Sequence, residues 1–122
     1  MVFINIDNYI DTNTVFLTDN KTVKNTVTKI FNDYRSSINS SEPIKFKTVK
    51  LYHISSIFFE LLLKEKILYC IDLNKVRQDI TIDTSKSVIK KNLTYAINKL
   101  YKTARNIEKS LIEVGEDNGR VS

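Results

Sequence analysis

Between Ser85 and Val114, Leu93, Ile97, Leu100, Ala104, Ile107, Leu111 and Val114 recur at alternating steps of four and three residues. That spacing is a heptad seam, and about three heptads are enough to call for a coiled-coil or a closely packed helix pair. Asp83, Thr84 or Ser85 supplies a cap, no glycine interrupts the run, and Gly115 follows as a fitting stop. A helix over 84–114 would be ~45 Å long at 1.5 Å per residue, more than so small a domain spans. Part of it is therefore expected to project and pair with a second copy through Leu93, Ile97, Leu100, Ala104, Ile107 and Leu111. The competing explanation is that the seam packs on the chain's own core, and the two combine if the first half packs inward and the second half pairs.

The rest of the chain divides into short elements. Val2, Ile4 and Ile6 alternate with Phe3, Asn5 and Asp7, as in a half-buried strand, and Thr14–Thr18 forms a second β-prone run. Asp19 and its neighbours offer cap chemistry for a helix whose apolar face is Val23, Val27, Ile30, Phe31, Tyr34 and Ile38. Pro43 ends it. Ile44–Val49 reads as a strand with Ile44 and Phe46 inward. Residues 50–66 read as a core helix, apolar nearly all round, that must be covered on several sides. Ile67–Leu73 and Asp79–Asp83 are both β-prone and are separated by the five residues NKVRQ, which suggests a hairpin with Lys75 and Arg77 at its tip. The expected organisation is one α+β domain over 1–115, including the 84–114 helix, with 116–122 as a flexible tail.

Charge is unevenly spread. Residues 21–109 carry eighteen Lys and Arg against eight acids, whereas residues 1–20 carry three acids and no cation. A basic body of this kind concentrates near polyanions. Lys, Asn and Ile also accumulate in AT-rich genomes, so a merely solvated surface explains the same cations.

Order and spacing together resemble the winged-helix DNA-binding proteins that dimerise through a C-terminal helix, a group with replication-terminator-like and small plasmid regulators. The resemblance covers Asn20–Val114 and is clearest in FFELLLKEKILYCIDLNKVRQDITID (58–83). It implies a winged helix-turn-helix-like fold. Lys75 and Arg77 would form the wing tip, and Ser55, Ser56, Glu60 and Lys64 the more polar positions of a recognition helix. That segment is poor in the side chains that read base edges. Contact is therefore expected to fall also on Lys45, Lys47 and Lys50 and on Lys86, Lys90 and Lys91 at the start of the last helix.

The resulting expectation is a cytoplasmic homodimer that binds double-stranded DNA as a regulator, partition or transfer factor of a plasmid, phage or other mobile element. The alternative is an interaction module or inhibitor whose basic surface grips an acidic protein or nucleoprotein. Catalysis is not expected, because His53, the single histidine, has no acid nearer along the chain than Glu60. Cys70 is the single cysteine, which excludes an internal disulfide and suits a reducing compartment. It also lacks neighbours for a metal site, and both glycines lie at 115 and beyond, so neither a metal nor a phosphate-cradling cofactor loop is expected. No apolar run is long enough for a membrane span, and MVFINIDNYI has no cation ahead of its apolar residues as a signal peptide would.

Overall fold

The computed structural model describes residues 1–70 and 72–121, with 108–121 described as helix backbone alone. It is an α+β chain of small parallel sheets and four α-helices. Strand β1 (Val2–Asn5) leads through a 3-10 turn (Ile6–Tyr9) and β2 (Phe16–Leu17) into α1 (Asn20–Ile38). Then come β3 (Ile44–Lys47), β4 (His53–Ile54), α2 (Ser56–Leu68), α3 (Leu73–Asp79), β5 (Ile80–Asp83) and α4 (Ser87–Val121).

The main sheet has the order β1-β3-β5, and all its pairings are parallel. Parallel neighbours cannot be joined by tight turns, so a helical crossover separates each pair. Both crossovers step the same way across the sheet. Right-handed connections therefore put the helices on one face. The strand register agrees: Val2, Ile44 and Ile80 form one buried row and Ile4, Phe46 and Ile82 the next. The intervening rows, Phe3–Lys45–Thr81 and Asn5–Lys47–Asp83, face out. A second, two-stranded sheet pairs Phe16 with His53 and Leu17 with Ile54, also in parallel.

The core lies between the sheet and α2. Phe59 meets Phe46 edge-on at 5.7 Å between ring centroids and Phe58 at 5.2 Å. Asp19 caps α1 by accepting from the Thr22 N–H at 2.9 Å, as its position before the apolar run predicts.

Three expectations need correction. Among the described residues of 67–83 there is no hairpin: they form the end of α2, α3 and a single strand where the family resemblance implies a two-stranded wing. Asp72 accepts from the N–H groups of Asn74 and Lys75 and starts α3, turning NKVRQ into helix, and Ile80–Asp83 pairs instead with β3 in parallel. The β-prone residues Ile67 and Leu68 are the last turn of α2. Second, α4 runs on to Val121, past the stop expected at Gly115. A missing Cβ permits the helical conformation at a cost of roughly 1 kcal/mol. Third, the seam of α4 is largely used within the chain. Leu93, Ile97 and Ala104 are buried and Leu100 packs against the core, because α2 and α4 run side by side. Ile107 is 51% exposed, and the Leu111 side chain lies outside the described residues.

Candidate nucleic-acid interface

Ligands of open parallel sheets gather beyond the carboxyl ends of the strands, where the loops converge. Here that end is organised by Asp7, which sits just past β1. Its carboxylate accepts from Thr48 Oγ1 at 2.6 Å, the Val49 N–H at 2.9 Å and the Lys50 N–H at 3.1 Å. Burial pushes this carboxyl up. The bonds from Thr48, Val49 and Lys50, with the Lys50 charge, outweigh that and hold it below the ordinary carboxylate value. Thr48 also accepts from the Leu51 N–H at 3.2 Å, and its own N–H donates to the Asp83 carbonyl at 3.1 Å. The loop after β3 is thus fixed to both neighbouring strands.

Tyr52 and Lys50 stand on this fixed loop, and an exposed ring and further cations come from the neighbouring elements. Tyr52 is 54% exposed and Phe16 56% exposed, with ring centroids 6.3 Å apart. The Tyr52 N–H donates to the Val15 carbonyl at 2.8 Å, which holds the two strands in register. Lys86 Nζ lies 4.5 Å over the Tyr52 ring. Lys50 Nζ donates to the Asp11 carbonyl at 2.7 Å. Lys47 ends β3 on the open face, and Lys90 and Lys91 lie exposed in the first turns of α4. Carboxylates near this end include Asp7, already engaged by the loop, and the exposed Asp11, Asp19 and Asp83, against the five lysines Lys47, Lys50, Lys86, Lys90 and Lys91.

The structure therefore brings Lys47, Lys50, Lys86, Lys90 and Lys91 to one end, with Lys45 two residues along β3 on the open face. Ser55 accepts from the Ile57 N–H at 3.3 Å as the cap of α2, and Ser56 is the first residue of that helix, both beside this end. Lys64 lies elsewhere, on the outer side of α2. Arg77 is bound to Asn98 Oδ1, at 3.2 Å from Nε and 2.7 Å from Nη2. Lys75 lines a cleft of about 320 Å³ at the opposite end of the sheet, with Lys66, Cys70, Asp72 and Asp79. The two intended wing-tip residues are thus away from the other cations. Sequence reasoning missed Phe16 and Tyr52. A signal existed in TVFLT, where Leu17 is buried in β2 and Phe16 must point the other way.

Among the described residues no group of three His, Cys, Asp or Glu side chains is placed to hold a metal ion. No described helix is long and apolar enough to cross a membrane. No protein-family model, curated protein or solved structure matches the chain.

Proposed function

We propose that this protein binds double-stranded DNA through the carboxyl end of its sheet, as a homodimer joined by the distal part of α4. The observation that carries the reading is Lys86 over the ring of the exposed Phe16–Tyr52 pair, with Lys50 on the adjoining loop, Lys47 at the end of β3 and Lys90 in the first turns of α4. Exposed cations contact phosphates without base specificity, which is how most nucleic-acid affinity arises. Groove reading by a wing has no part in it. The exposed Ile107 continues the seam beyond the core and offers the second copy its first contact. Accessory work for a mobile element in the cytoplasm, whether regulation, partition or transfer, suits a small basic dimer of this kind.

Fluorescence anisotropy with a random duplex across a salt series tests the proposal. Lys86→Ala with Lys90→Ala should weaken binding and reduce the salt slope by ~0.9 for each phosphate no longer neutralised. Lys75→Ala with Arg77→Ala should leave it unchanged. Absence of binding at low salt, or the opposite ranking of the two double variants, would refute it. Light scattering on Ile107→Asp should find a monomer where the parent chain is a dimer. The rival reading, a module that grips an acidic protein, is favoured by a different surface on the helical layer.

A further inference from the structure

Helix α2 is apolar on nearly every side, yet only part of it is covered. Phe58, Phe59, Leu62, Leu63 and Ile67 are buried against the sheet and the flanking helices. Ile57, Leu61, Lys64 and Leu68 fall at steps of four, three and four, which places them in one stripe on the outward side. The three apolar members are 45%, 38% and 40% exposed. Isolated exposed apolar residues need no explanation, but a contiguous helical stripe does.

Helix α4 lies alongside in the same direction. Asn92 Nδ2 donates to the Ile54 carbonyl at 2.8 Å, and Lys99 Nζ meets Glu60 Oε1 at 2.8 Å. The outward side of α4 next to that ion pair presents Tyr95, 57% exposed, and Lys102, one turn to either side of Lys99. The line between the two helices is a valley ~17 Å long over residues 57–68 at 1.5 Å per residue, crossed by the Lys99–Glu60 pair. Ile57, Leu61, Leu68 and Tyr95 stand along it beside Lys64 and Lys102. Among the described residues neither Lys64 nor Lys102 has a carboxylate partner, and Glu60 is already engaged by Lys99.

We infer that this valley is a docking site for an acidic amphipathic helix of a partner protein. Charge complementarity selects the occupant. A second copy seated here would bring only further unpaired lysines to the interface and no carboxylate for Lys64 or Lys102, since Glu60 is engaged by Lys99. A helix of about 10 Å diameter fits lengthwise, with apolar residues at i, i+3, i+4 and i+7 on Ile57, Leu61, Leu68 and Tyr95 and its acids toward the lysines. The inference stands apart from the nucleic-acid reading, since Lys50, Lys86 and Lys90 take no part in it.

The test uses the whole chain, methyl-labelled for NMR, and a fluorescent model peptide with Leu at helical spacing and Glu elsewhere. The expected result is saturable binding that shifts the Ile57, Leu61 and Leu68 methyl signals, with a scrambled peptide of equal composition at least tenfold weaker. Lys64→Glu with Lys102→Glu should weaken the acidic peptide at least tenfold and strengthen a version carrying Lys in place of Glu. Leu61→Ser should weaken both, and an unchanged thermal melt keeps folding out of the comparison. Equal binding of the scrambled peptide, no binding, shifts confined to other surfaces, displacement of the peptide by duplex DNA, or stronger binding to phosphatidylglycerol vesicles that the same variants abolish would each overturn it.

Discussion

At the carboxyl end of the main sheet a carboxylate, Asp7, gathers donors from the loop after β3. At the amino end an ammonium, Lys66, gathers carbonyls from the loop before β3, donating to Ser40 O at 2.6 Å and Glu42 O at 2.7 Å. Each group satisfies backbone atoms that no strand reaches. The energetics differ in sign. Asp7 is more easily ionised than an ordinary carboxyl because three donors converge on it. Burial pushes Lys66 below the ordinary lysine value, and Asp79, Glu42 and Cys70 only partly restore it. One end is therefore tied by a charge that its surroundings favour. The other is tied by a charge that they tolerate. The favoured end is also where cations and exposed rings collect, as a contact surface held rigid from beneath would require.

Removing the carboxylate is the strongest way to test that contrast. Asp7→Ala strands the Thr48 hydroxyl and the Val49 and Lys50 N–H groups, and charge-assisted bonds of this type contribute about 1.5–3 kcal/mol where solvent is partly excluded. A loss of about 2 kcal/mol in urea denaturation is expected, with protease sensitivity appearing first at residues 48–52. The same clamp sets a pH dependence. Because the folded-state value of Asp7 is depressed, its stabilisation is full above the ordinary carboxylate range and disappears as pH falls through the folded value. Asp7→Asn should flatten that part of the acid limb. An unchanged limb would mean that the loop is held by something else.

The amino end should respond less. Lys66→Met gives up two hydrogen bonds to carbonyls but also removes a half-buried charge, and these effects oppose each other. The net change expected is within about 1 kcal/mol. A loss as large as that of Asp7→Ala would erase the difference between the two ends.

That difference is only half legible in the sequence. Alternation in Val2–Asn5 and Ile44–Lys47 fixes which side chains are buried, and the structure buries Val2, Ile4, Ile44 and Phe46. Asp19 likewise marks the start of α1. Alternation is blind, however, to whether neighbouring strands run parallel, since the inward residues are the same either way. The direction is set by what lies between them. There the β-prone look of ILYC conceals the end of α2, and Asp72, a helix cap in the structure, fits the start of a hairpin loop equally well by sequence. Leu93, Ile97 and Ala104 are buried along one side of α4, but a period of 3.5 does not say whose surface a seam meets. Leu93 and Ile97 meet their own sheet-backed core because α2 supplies the facing ridge. The Asp7 clamp joins residues about forty positions apart, which no local pattern encodes.

The smallest effect on stability is expected where binding should suffer most. Lys86 rests over the Tyr52 ring, and at an exposed site such an interaction contributes roughly 0.5–1 kcal/mol before the entropy of a freed side chain is returned. Lys86→Ala should therefore shift the denaturation midpoint by little, well under the change produced by Asp7→Ala. Phe16→Ala should be similarly mild, because the ring is more than half exposed and the backbone pairing with His53 does not depend on it. If both variants keep the parent stability and Lys86→Ala lowers DNA affinity, the ring and its cation belong to a surface shaped for binding rather than for folding. If either destabilises the chain as much as Asp7→Ala does, the pair is a structural element of the sheet end. The cations around it would then be solvated surface after all.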